Sequence, residues 1–286
     1  MKKVLLSGVI LALLAPCAFA QNALKLPRVS QKAVVTQTIG LTDVTITYSR
    51  PGVKGRVIWG DLVPYDKVWR TGANEATEIA FSQDVTINGK PLPAGTYSLH
   101  TIPGKTSWTV IFNKKAEQWG SYEYDAAQDA LRVQVTPASG PSQEWMQFSF
   151  QDLGTDAATI ELSWEKVRVP FKVETKTTEQ AVASIRQTLS GDVKEWNVPF
   201  GAASFAFNNN LDKTEAMKWV DQSISLKETF WNLRLKAQML GKDGKTKDAV
   251  AVAEKAIAVG KTDDDAKDEI PKLEKQMSDW KAGKAS

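Results

Sequence analysis

Thr96-Tyr-Ser-Leu-His-Thr-Ile102, then Pro103-Gly104, then Ser107-Trp-Thr-Val-Ile-Phe112: this stretch decides the fold class. Both outer segments are short and rich in β-branched and aromatic side chains, which suit a pleated, half-buried surface. Pro-Gly between them ends one ladder and turns the chain, so an antiparallel hairpin is expected around residues 103–106. Upstream, Val44-Thr-Ile-Thr-Tyr48 alternates with period two, and Glu78–Phe81 and Val85–Ile87 follow it. Asn88-Gly89 is a tight-turn signal, because both residues tolerate positive φ. Downstream, Leu131–Thr136, Trp145–Phe150, Thr159–Trp164 and Val167–Val173 read as four further strands. With no long helix and no glycine-rich βαβ element, residues 32–176 are expected to form an antiparallel β-sandwich, with a jelly roll as one form of it.

After Thr177 the period changes. Val182, Ile185 and Leu189 recur at helical spacing, and Ala202, Phe205 and Ala206 suggest a second helix after Pro199. Asp212-Lys-Thr-Glu-Ala216 with Trp219, Ser223 and Ile224 corresponds to Lys245-Thr-Lys-Asp-Ala249 with Val252, Ala256 and Ile257. Phe230–Leu240 lies between the two copies, and small residues recur where neighbouring helices would approach. Residues 177–286 are therefore expected to be helical hairpins resembling tetratricopeptide repeats, closed by a polar helix over 263–280. An ordinary helical bundle is the alternative. The whole is a β plus α multidomain chain.

The N-terminus sets the compartment. Met1-Lys2-Lys3 is a basic start, Val4–Leu14 is apolar, and Ala18-Phe19-Ala20 fits a small-x-small cleavage site, so residues 1–20 read as a secretory signal. Residues 21–31 are a lead-in. Export to the periplasm is the expectation, with an extracellular location as the alternative. Cys17 is the only cysteine, and Pro16 before it spoils a lipidation pattern. The mature chain thus has no thiol for disulfides, nucleophilic catalysis or metal binding. Loss of Lys2 and Lys3 takes the formal charge from +3 to +1, and the lysines alternate with acids, which argues against nucleic acid. No later run is apolar for long enough to span a membrane.

Chemistry-bearing residues are sparse, and no catalytic signature, cofactor motif or metal-ligand cluster is complete. Arg50, Lys54, Arg56 and Arg70 form a cationic set around turns. With Trp59, Trp69, Asn74 and Glu75 they are expected to offer a polar, aromatic pocket, since guanidinium forks match carboxylate or phosphate and indoles give flat apolar surface. The structural alternative pairs Arg70 with Glu75 or Glu78 and uses both indoles as core. Gly72 reads as a turn. His100, the only histidine, is either a strand histidine or a ligand-binding residue. With simple alternation it shares a face with Thr96, Ser98 and Ile102.

The run Tyr48-Ser-Arg-Pro-Gly-Val-Lys-Gly-Arg-Val-Ile-Trp-Gly60, with Leu62–Tyr65, Val68-Trp-Arg-Thr-Gly-Ala-Asn-Glu-Ala-Thr77, Leu92–Leu99 and Trp108–Asn113, resembles the DUF2911 family of exported bacterial proteins. The resemblance spans roughly residues 27–173. It implies a domain of unknown function, in some relatives followed by a helical repeat-like tail, and it supplies no catalytic residue, substrate or cofactor.

Three functional classes follow from this reading. The first is a non-catalytic envelope module that binds a small polar ligand, glycan or peptide in the sandwich and a protein through the helical tail. The second is a hydrolase or lyase using His100 with a carboxylate such as Glu75 or Glu78, which needs those groups within hydrogen-bond reach. The third is a structural envelope protein.

Overall fold

The computed structural model describes residues 26–284. The expected signal over residues 1–20 lies outside the described residues. The chain divides into two units, the first over residues up to 38 and 43–174, the second from residue 175 onward together with the short turn at 39–42.

The first unit contains β1 (Gln31–Ile39), β2 (Thr42–Arg50), β3 (Thr77–Phe81), β4 (Val85–Ile87), β5 (Lys90–Leu92), β6 (Gly95–Ile102), β7 (Trp108–Asn113), β8 (Asp129–Val135), β9 (Ala138–Gln151) and β10 (Ala157–Thr175). They form two antiparallel sheets, ordered β1-β2-β3-β6-β7-β8 and β5-β4-β10-β9. The alternation seen in the sequence becomes the inner face. Ile46, Ile79, Ile111 and Ile160 have no exposed surface, and each such side chain stabilises the fold by about 1.5–3 kcal/mol relative to exposure. Aromatic edges join the sheets: Tyr48 meets Phe148 at 5.0 Å between centroids, and Phe112 meets Phe171 at 5.9 Å. The Tyr48 hydroxyl also accepts the Phe148 N–H at 3.1 Å.

The turns fall where backbone chemistry demands. Asn88 and Gly89 both take positive φ, 45° and 78°, and join β4 to β5. The β6–β7 hairpin runs in register from Ser98 opposite Asn113 to Ile102 opposite Thr109. One expectation is revised. Residues 159–164 and 167–173 are one long strand, in which the β9 register shifts on either side of Glu165, whose φ is 52°. Such a bulge bends a strand without ending it.

The second unit holds α1 (Thr177–Leu189), α2 (Asn197–Asn208), α3 (Lys213–Leu226), α4 (Phe230–Lys242), α5 (Thr246–Gly260) and α6 (Ile270–Lys281). The starts of α2 and α4, and of α3 and α5, are each 33 residues apart. Asp212 caps α3 by accepting from the Thr214 and Glu215 N–H groups, and Thr229 forms a capping box with Asn232 on α4. Ala249, Ala253 and Ala256 are fully buried along one face of α5. A Cβ on Gly241 would fall 2.5 Å from the Trp280 indole, and one on Gly260 would fall 2.7 Å from Phe230. Small residues therefore set how closely these helices pack. Among the described residues no helix is long and apolar enough to cross a membrane.

Candidate functional site

Two long connections in the β unit, residues 51–76 between β2 and β3 and residues 114–128 between β7 and β8, carry most of the polar chemistry. The first is tied down at its start and near its end. Arg50 donates from Nε to the Met146 carbonyl at 2.8 Å, and the Met146 and Val53 N–H groups bond to the Pro51 and Glu144 carbonyls at 3.0 and 2.8 Å. Arg56 turns back on its own loop, donating to the Gly52 carbonyl at 2.6 Å and the Val53 carbonyl at 3.1 Å. Further on, Trp69 exchanges both main-chain bonds with Thr101 of β6, at 2.8 and 2.9 Å, and its indole N–H reaches the Gly72 carbonyl at 3.1 Å. The Arg70 carbonyl accepts from the Thr77 N–H at 3.1 Å. Arg70 is thus fixed in its main chain on both sides.

A cluster of tryptophans lies behind it. The Trp59 ring sits 5.8, 5.0 and 5.6 Å from Trp69, Trp108 and Trp164, edge to face in each case, and Trp69 stacks on Trp164 at 5.8 Å. Such pairs add about 0.5–1.5 kcal/mol each beyond their buried area. The indole N–H groups of Trp59 and Trp164 are buried without an acceptor.

In front of Trp69 and Trp164 opens a cleft of about 340 Å³, walled by Val29, Gly52, Lys54, Arg56, Val63 and Arg70 among others. A second cleft of about 250 Å³, walled by Lys67, Ser121 and Tyr122, shares Leu62, Val63, Trp69 and Arg70 with it. Arg70 stands at the junction. Its guanidinium is half-buried, its Nε is fully enclosed, and no hydrogen bond or ion pair engages it. Burial lowers its pKa, opposed only by the Tyr122 hydroxyl. The expected structural pairing of Arg70 with Glu75 or Glu78 does not form. Backbone strain gathers beside it: Thr71 and Asn74 take φ of 55° and 59°. For a β-branched residue this is an uncommon conformation, of order 1–3 kcal/mol uphill. Thr71 is held there by bonds to Trp69, Thr101 and Thr77. Gly72 is not a positive-φ glycine. A Cβ there would lie 3.0 Å from the Thr77 hydroxyl and 3.1 Å from the Ser49 carbonyl, so it is needed for close approach.

The eight ligand candidates separate into groups. Arg56, Trp69 and Arg70 line the larger cleft, and Trp59 supports its floor from behind. Arg50 does not line it, because its guanidinium braces Met146. Asn74 is drawn away by bonds to the Ser30 carbonyl and the Ser49 hydroxyl. Glu75 accepts both oxygens' worth of bonding from Arg28 at 2.6 Å, which holds its carboxyl below the usual range. This pair ties the lead-in, where Val29 and Ser30 line the cleft, to the loop.

His100 belongs to a different place. It is fully buried, and so are Tyr97, Ser98, Leu99 and Thr101, so both faces of β6 are covered. Its ring packs 5.1 Å from Tyr124 with the Gly120 and Ser98 main chain close by, and neither ring nitrogen makes a hydrogen bond of good geometry. Burial pushes its pKa down to about 4, opposed in part by the Gly120 main chain, the Asp129 charge and the Ser98 main chain. Around it, Gln118 donates to the Ser98 hydroxyl at 2.9 Å, and the Tyr124 hydroxyl donates to Asp129 at 2.7 Å. Burial and the Asp129 bond push Tyr124 up to about 12. No hydrogen bond joins His100 to Glu75, Glu78 or any hydroxyl. The base-and-carboxylate arrangement required by the hydrolase reading is not formed.

Sequence reading missed Trp164 as a cleft wall, Tyr122 and Ser121 as walls of the second cleft, and the Gln118, Tyr124 and Asp129 surroundings of His100. Each comes from a distant segment with no local signal of its role. No curated protein and no solved structure matches the chain. The family model described as "Protein of unknown function (DUF2911)" matches residues 30–173, the β unit with the cleft and the His100 pocket inside it, and the chain belongs to that family.

Proposed function

We propose that the β unit is a non-catalytic binding module for a small polar ligand, seated in the cleft at Arg70. The observation that carries this is a guanidinium fixed through its main chain, half-buried, and left without any partner at the junction of two clefts. A guanidinium partly withdrawn from water, with its Nε enclosed and unpaired, is less favourable than a paired one. A ligand that completes it recovers that loss, with a charge-assisted hydrogen bond contributing roughly 1.5–3 kcal/mol. The volume, about 340 Å³, lies at the small end of the roughly 300–1,000 Å³ typical of ligand clefts. That size suits a single sugar, amino acid or comparable metabolite.

The basic start, apolar core and Ala-Phe-Ala site of residues 1–20 support export, with the periplasm as the working compartment. The helical unit, with its 33-residue spacing, provides the stacked scaffold that repeat proteins use to hold protein partners, and it is the proposed partner-binding part. The test is to purify the full exported chain and its Arg70→Met variant and to compare co-purifying small molecules by mass spectrometry. A compound held by the wild type and lost from the folded variant is expected. Identical small-molecule content in both would remove the Arg70 cleft as the site. Crosslinking of the full chain in the cell envelope tests the helical part, with crosslinks to a protein expected to map to residues 177–284.

A further inference from the structure

We infer that the ligand of this cleft is a small organic oxyanion, a carboxylate or phosphate monoester, whose charged head sits at Arg70. The inference rests on the binding reading above and adds the charge and shape of what binds.

The arginines differ first in their partners. Arg28, Arg132, Arg168, Arg186 and Arg234 each meet a carboxylate within 4 Å, and Arg50 and Arg56 donate to main-chain carbonyls. Arg70 does neither. Every other arginine has at least one carboxylate or carbonyl partner, and the one left with none stands in a cleft.

The walls carry one sign of charge. Lys54, Arg56 and Arg70 line the larger cleft and Lys67 and Arg70 the smaller, and no aspartate or glutamate lines either. Arg56 is committed to carbonyls, which hold its geometry without cancelling its charge. The Lys54 ammonium lies 5.7 Å over the Trp145 ring, again without an anion. Glu144, close to the Gly52 wall, accepts the Lys54 main-chain N–H at 2.9 Å. A cleft with cations on its walls and no acid favours anions over neutral solutes of the same shape.

Shape narrows the ligand further. Arg70 offers a planar fork that suits two oxygens at once. It stands where the clefts meet, beside the apolar surfaces of Leu62, Val63 and Trp69 that both share. An oxyanion at the junction would leave the ligand body against those surfaces, so an anion with a carbon body is favoured over inorganic phosphate.

The experiment pairs charged and neutral isosteres on the full mature chain: glucuronate against glucose, benzoate against benzamide, and glucose 1-phosphate against glucose. Binding is read by calorimetry and by tryptophan fluorescence, with inorganic phosphate as a control. At least one charged member should bind roughly tenfold or more tightly than its neutral counterpart. That gap should shrink with added salt, collapse in Arg70→Met, and survive in part in Arg70→Lys. The pair showing the gap separates a carboxylate from a phosphate ester. Neutral and charged members binding alike, with Arg70→Met weakening both, would overturn the charge inference and leave the binding reading intact. Inorganic phosphate binding as tightly as any organic anion would overturn the requirement for a carbon body. No Arg70-dependent binding by any probe, with both variants folded by circular dichroism, would count against both.

Discussion

The Arg70 cleft and the His100 pocket each hold a titratable group that makes no hydrogen bond of good geometry, and they differ in every other respect. His100 is sealed beneath residues 114–128, neutral, and surrounded by side chains that bond to one another. Arg70 retains its charge, stands at the meeting of two clefts, and has cations and indoles for neighbours. A neutral imidazole can be enclosed at modest expense because it carries no charge out of water. A half-buried guanidinium has no neutral form within reach of ordinary pH. The first is therefore compatible with a purely structural role, whereas the second leaves an interaction uncompleted. Unsatisfied burial alone does not mark a site; charge, access and unsatisfied burial together do.

The comparison can be broken most forcefully at His100. Its folded pKa, about 4, lies below the ordinary 6.5, so the unfolded chain binds the extra proton first. Stability contributed by the neutral form is full above pH 6.5, falls as the pH drops towards 4, and levels off below. The swing is of order 3 kcal/mol. Chemical denaturation across this range should show that decline in the wild type and its loss in His100→Gln, with small-ligand binding at neutral pH unchanged in the variant. Next in size is Gly72→Ala. The added Cβ meets main chain and a buried hydroxyl, so an overpacking loss of about 1–3 kcal/mol is expected in the denaturation midpoint. A smaller effect of opposite sign is expected for Arg70→Met without ligand. Replacing an unpaired, half-buried charge with an apolar chain should leave stability equal or raise it by up to about 1 kcal/mol. The smallest belongs to Arg28→Ala. Arg28 and Glu75 are half exposed, and exposed pairs contribute little, so the midpoint should stay within experimental scatter.

Much of the fold could be read directly. Period-two alternation at Val44–Tyr48 and Leu131–Val135, and the Asn88-Gly89 turn, carry their structure locally. The 33-residue spacing likewise announced the helix pairs. β10 escaped because Glu165 takes a left-handed conformation and keeps the strand going, and nothing in the sequence separates that from a break. The site was legible as a region only. Glycine, proline and tryptophan marked residues 50–78 as a loop of fixed shape, but which cation would remain unpaired depended on distant competitors. Arg28 took Glu75, Met146 took Arg50, and the Gly52 and Val53 carbonyls took Arg56. Trp164 entered the cleft wall from β10, far downstream of Arg70 in the sequence, a separation no local pattern bridges. Asn74 showed the opposite failure: its polarity suggested recognition, whereas its side chain secures the loop.

The central claim is that Arg70 serves a ligand and not the fold. One measurement addresses both halves: thermal unfolding of the wild type and Arg70→Met, each with and without the tightest-binding probe. The account predicts that the variant unfolds no earlier than the wild type when both are free, and that only the wild type gains stability from the probe. A variant that unfolds well below the wild type yet gains as much from the probe would contradict it.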